Sequence, residues 1–138
     1  MAITQAMCTS FKSEILQEGH QLATDTIKIA LFTSSASLDA TTTAFSTSNE
    51  ITGTGYTSGG VTLTSTTVST DGTTAFFDAD DPTWTSATFT ARGALIYNAS
   101  NSNKAIAVLN FGGDFTVAGG TFKITLPAAG TTAIIRIA

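Results

Sequence analysis

Short segments of alternating apolar and polar residues, separated by turn residues about every ten positions, constrain the fold of this chain most. The clearest alternation lies at residues 121–126, where Phe122, Ile124 and Leu126 face one way and polar side chains face the other. A side-chain period of two is typical of a half-buried strand. Many such segments without intervening helices predict an all-β sandwich or barrel of short, mainly antiparallel strands.

About eight strands are predicted in this way. They cover residues 26–33, 61–70, 73–78, 87–98, 104–111, 115–118, 121–126 and 133–137. Asp71-Gly72 between β-branched residues predicts a hairpin turn, while Gly112-Gly113 and Gly119-Gly120 are interpreted as turns that bracket a short strand. The last segment is apolar on both faces, and a bare apolar edge invites aggregation. We therefore expect residues 133–137 to form a central strand.

The first 22 residues predict one N-terminal amphipathic helix, over residues 3–18, that packs on the β domain. Apolar residues recur there in steps of four and form one stripe. The stripe consists of Ile3, Met7, Phe11 and Ile15, with Cys8 beside it and Leu22 returning to the same side. Gly19 is expected to end the helix in the left-handed conformation.

The whole chain, residues 1–138, is expected to form a single β domain, with a long polar loop or arm at residues 34–60. Loops of this length are uncommon in compact domains and are often functional. The loop has few apolar residues to offset the conformational entropy lost on ordering it. We therefore expect a partner to order part of it and the loop to be the main contact surface, with the apolar face of the helix as the second choice. The candidate contact residues are Leu38, Phe45, Ile51, Tyr56 and Trp84.

Charged residues are sparse, at 12%, and the net charge is −4. A globular protein usually carries about 25% charged residues, and here uncharged threonine, serine and glycine replace them. The six basic residues are scattered rather than clustered. Nucleic acid and anionic membranes are therefore not expected partners. No basic, apolar leader or membrane span is recognised at the N-terminus, which predicts synthesis in a cytoplasm.

No residues predict catalysis, a metal centre or a cofactor site. His20 is the single histidine and no nucleophile elbow accompanies it, so it is interpreted as a surface or cap residue. Cys8 is the single cysteine and is interpreted as a buried, inert thiol. One Cys and one His are too few for a zinc site.

An acidic cluster before Pro82 leaves two alternatives open. Asp78, Asp80 and Asp81, with Asp71 nearby, could bind a hard cation through carboxylate oxygens. No calcium-loop consensus is present, and the preferred interpretation is a solvated turn. A glycosidase pair of carboxylates is disfavoured because the aromatic residues are mostly phenylalanines on strands.

Trp84 and Tyr97 could form a platform on which sugars stack. A lone tryptophan between a proline turn and a strand more often packs in a core or an interface, which is the preferred interpretation here.

Four segments appear in an order that resembles small virion structural proteins of tailed bacteriophages. They are residues 1–12 (MAITQAMCTSFK), 26–35 (TIKIALFTSS), 49–60 (NEITGTGYTSGG) and 84–98 (WTSATFTARGALIYN). The four segments are spread over residues 1–98 of the 138, and their combination is more distinctive than any one segment.

The resemblance implies a non-enzymatic capsid cement or decoration protein, made in the host cytoplasm and located in the virion. Its expected partners are the phage major capsid protein, bound from outside the shell, and further copies of itself, because closed self-association is common. A tail or neck component is the alternative, since the resemblance does not separate head from tail. A carbohydrate-binding adhesion module is a third, less favoured reading.

Overall fold

The computed structural model describes residues 2–137 and shows an all-β fold with one short helix. The strands are β1 (Ala6–Met7), β2 (Ile27–Phe32), β3 (Val61–Thr62), β4 (Thr67–Asp71), β5 (Thr74–Asp78), β6 (Thr83–Asn98), β7 (Lys104–Lys123) and β8 (Ile135–Ile137), and the helix is α1 (Thr9–Ile15). They form a five-stranded sheet in the order β1-β7-β6-β2-β3 and a three-stranded sheet in the order β4-β5-β8. Every strand pair is antiparallel. The predicted fold class is confirmed.

The core lies where β2, β6 and β7 run side by side. In β6 all residues from Gly93 to Asn98 are buried, and in β7 residues 105–109 are buried as well. Strands covered on both faces read as continuous apolar runs, as in the segment ALIY at 94–97. Buried residues of both sheets, including Phe77 and Ile135 of the small sheet, belong to the same hydrophobic cluster.

The N-terminal helix is shorter than predicted, and the correction has a simple geometric reason. Residues before Thr9 are extended: β1 pairs with β7 through Ala6 opposite Val108 and Met7 opposite Ala107. A step of four keeps side chains on one face of a strand as well as of a helix, so the stripe did not distinguish the two. The left-handed residue after the helix is Glu18, with φ 60°, rather than the predicted Gly19.

Strands β6 and β7 form one long hairpin, which corrects the prediction of three separate strands between residues 104 and 126. The predicted Gly-Gly turns are irregularities within β7: Ala91 lies opposite Phe115 and Gly93 opposite Asn110, so four residues of β7 bulge out opposite Arg92. Gly112 has φ 82°, a conformation that glycine adopts without strain. Bulges of this kind bend a strand without ending it.

Two further strand predictions need correction. The predicted strand at residues 61–70 is divided, because β3 pairs with β2 whereas β4 pairs with β5. The predicted central strand near the C-terminus is β8, an edge strand of the small sheet, and its Ile137 side chain is 55% exposed.

Candidate interaction surfaces

The surface interpretation of His20 is wrong, because the residue is buried in a polar cluster. Its Nε2 lies 2.8 Å from Glu14 Oε1, and its Nδ1 lies 3.0 Å from Asn98 Nδ2. The Asn98 amide is oriented by Asp25 Oδ2, which accepts from Nδ2 at 2.7 Å, and by the Ser100 N–H, which donates to Oδ1 at 2.9 Å. Asn98 therefore donates to Nδ1, and the neutral imidazole carries its proton on Nε2 and donates it to Glu14.

This polar cluster joins α1 and the chain after it to the end of β6. Lys104 Nζ adds a contact of 3.7 Å to Glu14 Oε2. Both nitrogens of His20 are engaged by Glu14 and Asn98, so neither is free to activate a nucleophile. The chemistry of the cluster is that of a satisfied, buried hydrogen-bond network.

The pKa of Asp25 in this cluster is lowered, first by the hydrogen bond from Asn98 and then by the Gln21 N–H. A lowered pKa contributes stability above the ordinary value of 3.8, and that contribution is lost as the pH falls through the folded-state pKa. We expect Asp25→Asn to remove the part of the free energy of unfolding that is lost on acidification through Asp25. This part is on the order of 1 kcal/mol, since the carboxylate is partly exposed. Urea unfolding at several pH values between neutrality and strong acid measures it, and identical acid slopes for the two proteins would contradict the assignment.

The Cys8 thiol is buried, as predicted, directly before α1. Burial is the largest cause that raises its pKa to about 11, and the carboxylates of Asp39 and Glu14 add to the effect. A thiol held in its neutral form is a poor nucleophile. Its place in the structure is therefore that of a small apolar core residue.

The acidic residues near Pro82 hold the backbone and neighbouring side chains together. Asp81 Oδ1 accepts from the Leu126 N–H at 2.8 Å, and its Oδ2 lies 3.6 Å from Lys123 Nζ. Asp80 Oδ2 accepts from the Thr64 hydroxyl at 3.2 Å. Within residues 2–137, no three acidic, His or Cys side chains converge in a geometry that could hold a metal ion.

Trp84 and Tyr97 are core residues, which confirms the packing interpretation. Trp84 is 3% exposed and Tyr97 is 2% exposed. The Trp84 ring packs against Tyr56, Phe89 and Phe122, with ring centroids 5.8–6.5 Å apart. Neither ring offers a face on which a sugar could stack.

Residues 49–60 of the long loop are fixed to β2 by Glu50. Its Oε2 accepts from the Tyr56 hydroxyl at 2.5 Å and from the Gly59 N–H at 2.7 Å, and its Oε1 accepts from the Ser58 hydroxyl at 2.7 Å. Tyr56 in turn accepts from the Leu31 N–H at 3.0 Å. Burial and the hydrogen bond to Glu50 raise the pKa of Tyr56 well above its usual range.

The five candidate contact residues lie on the inner side of this loop and of β6. Leu38, Ile51 and Trp84 are buried, and Phe45 and Tyr56 are half-buried. Phe45 stacks on Tyr97 with a centroid distance of 4.5 Å. These side chains attach the loop to its own domain, and their role in contacts with a partner remains a prediction.

The outer part of the loop, at residues 36–49, encloses a polar pocket of about 380 Å³. Its lining includes the hydroxyl groups of Ser37, Thr41 and Thr42 and the carboxylate of Asp39, which is engaged by the N–H and hydroxyl of Thr41. These hydrogen bonds lower the pKa of Asp39. Exposed residues of the loop lie in this part and also at positions 52–55, 57 and 58.

Sequence reasoning missed the exposed apolar side chains on the two edge strands of the small sheet, β4 and β8. Val68 is 53% exposed and Ile137 is 55% exposed, and they line one narrow groove with Ile15 and Leu22. Leu16, at the end of α1, is 86% exposed. We call Ile15, Leu22, Val68 and Ile137 the edge groove. In the sequence, the edge groove was indicated only by the run IIRI at residues 134–137, which is apolar on both faces.

A second apolar groove, of about 220 Å³, lies beside the bulge of β7. It is lined by Phe111, Phe115, Phe122 and Ile124, with Lys123 at its margin. Phe115 is 52% exposed, and its ring lies 6.2 Å from that of Phe111. The bulge is what brings these rings together, and the sequence pattern did not predict it.

Comparison of the chain with protein families, with curated proteins and with solved structures finds no match. In the part of the chain from residue 2 to residue 137, no helix has the length and apolar character needed to cross a bilayer.

Proposed function

We propose that this protein is a non-enzymatic structural component of a tailed-phage virion, a capsid cement protein that binds the outside of the major capsid protein shell. The phage assignment rests on the resemblance of the four segments at 1–12, 26–35, 49–60 and 84–98; Met1 of the first segment lies outside the described residues. The proposal that the protein is non-enzymatic is supported by His20, whose two ring nitrogens are both hydrogen-bonded, and by Cys8, which is buried in the core.

The observation that carries the assembly part of the proposal is the exposed apolar surface. Leu16, Val68, Phe115 and Ile137 are each more than half exposed on a chain with few charges. Apolar surface gathered in grooves is typical of sites that another molecule covers. A shell seam that covered these side chains would gain stability by mass action, since a cement protein binds only the assembled state.

The low content of charged residues also favours this role over recognition by charge. Uncharged hydroxyl and apolar contacts are not screened by salt, unlike exposed ion pairs. A protein attached in this way would stay on its particle over a wide range of ionic strength.

Quantitative mass spectrometry of purified virions tests the proposal. A cement protein should be present at a copy number comparable to that of the major capsid protein. A copy number that is a small fraction of it would favour a tail or neck component instead. Absence from virions would refute both. The sugar-binding alternative has lost its support, because Trp84 and Tyr97 are buried.

A further inference from the structure

Strand β4 is an open edge of the small sheet. All five of its residues, from Thr67 to Asp71, are exposed, and it pairs only with β5. Natural proteins protect such edges with lysine, proline, bulges or a covering loop. Strand β4 contains no lysine or proline, and its register with β5 is uninterrupted.

The hairpin geometry fixes which backbone groups of β4 face outward. Asp71 lies opposite Thr74 across the two-residue loop, and such a closing pair exchanges both hydrogen bonds. Hydrogen-bonded and non-bonded pairs alternate along an antiparallel ladder, so Thr67 and Ser69 also bond to β5. The N–H and C=O groups of Val68 and Thr70 therefore point away from the sheet. Within residues 2–137, no loop or other strand pairs with them.

We propose that two copies of this chain associate through their β4 strands, antiparallel and about a two-fold axis at Ser69. In that register, Val68 of each copy lies opposite Thr70 of the other. Both residues present outward N–H and C=O groups, so each pair exchanges two backbone hydrogen bonds. The two small sheets become one continuous sheet, in the order β8-β5-β4 followed by the same strands of the second copy in reverse.

Charge favours β4 over β8, the other edge of the same sheet, as the self-pairing strand. A two-fold pairing of β8 centred on its middle residue would place Arg136 opposite its own copy, and like charges directly opposite are destabilising. In the β4 pairing the only charged residue, Asp71, lies opposite Thr67 of the second copy, and Ser69 lies opposite Ser69. Hydroxyl pairs of this kind are favourable across strands. The proposal concerns self-association and does not depend on the virion assignment.

Sedimentation of the full chain over a concentration series tests the proposal, and the unaltered protein should form dimers. Thr70→Pro removes an outward N–H that makes no bond to β5, a change that an edge strand tolerates. It should weaken dimerisation roughly thirtyfold through the loss of two hydrogen bonds per dimer. Circular dichroism should show an unchanged fold. A monomeric unaltered chain would overturn the proposal and leave the β4 edge to a strand of another protein.

A charge swap at Ser69 tests the position of the two-fold axis. Ser69→Lys and Ser69→Asp should each weaken the dimer roughly fivefold, because like charges then face each other. An equimolar mixture of the two variants should restore association as a heterodimer. Thr85→Lys, at an exposed position of β6, is the matched control and should leave the dimer unchanged. Dimers that persist in both single variants, or a mixture that fails to associate, would overturn the proposed register.

Discussion

Replacing Gly60 with alanine is expected to lower the free energy of unfolding by about 4 kcal/mol or more. A Cβ atom at this position would lie 1.8 Å from the carbonyl oxygen of Ile29 and 2.8 Å from Ala30 Cα, both atoms of β2 backbone. Gly60 also has φ 80°, which strains any residue with a side chain. The loop would have to leave β2, and with it β3. Urea unfolding followed by the fluorescence of the single tryptophan measures the loss.

Gly72→Ala is the matched control for this experiment. Gly72 has φ 62°, but a Cβ atom there would have no neighbour within 4 Å. The control therefore suffers only the conformational strain, about 1 kcal/mol. If the two variants were equally stable, the close approach of the loop to β2 would be wrong. A Gly60→Ala chain that yields no folded protein agrees with the prediction only if Gly72→Ala folds.

Replacing Trp84 with alanine is expected to cost about 3–5 kcal/mol, as for other large buried aromatic residues. Trp84 is 3% exposed and is packed among Tyr56, Phe89 and Phe122. Its removal leaves a cavity between the loop fixed by Glu50 and the end of the β6–β7 hairpin that is distant from the hairpin turn. Denaturant unfolding monitored by circular dichroism measures the effect, since the variant has no tryptophan left.

Trp84→Phe separates packing from the indole N–H. That N–H is buried and makes no hydrogen bond with any described residue, so phenylalanine forfeits no such bond. We expect a loss of about 1–2 kcal/mol from the smaller ring. A loss as large as that of Trp84→Ala would indicate that the N–H has a partner, and a negligible loss for both variants would place Trp84 outside the core.

Strand content and fold class were predictable because a single strand or hairpin is indicated by residues that are close together in the sequence. Ile27, Ile29 and Leu31 alternate in β2, and Asp71-Gly72 marks the β4–β5 hairpin, where Gly72 indeed has positive φ. Both signals depend on neighbours in sequence. They are therefore readable without knowledge of the tertiary structure.

Features that depend on partners distant in sequence were not predictable. Whether residues 112–113 end a strand or form a bulge depends on the register of β7 against β6. Likewise, the sequence around His20 did not indicate that the residue is buried, because one of its two hydrogen-bond partners, Asn98, is 78 positions away. The strand that forms the edge of a sheet is also determined by which strands pair with each other. The exposure of Val68 and Ile137 was therefore not predicted.

The small sheet is joined from parts of the chain that are synthesised at different times. Strand β5 ends at Asp78 and its partner β8 begins at Ile135, 57 positions later. At about 5–20 residues per second, a ribosome needs roughly 3–11 s to make the intervening chain. During that interval Phe77 lacks Ile135, its partner across the strands, and an isolated hairpin is only marginally stable. Strands β6 and β7 are made in that interval and complete the five-stranded sheet. Every strand of the large sheet is therefore made before β8, and the small sheet is the last to gain all of its strands.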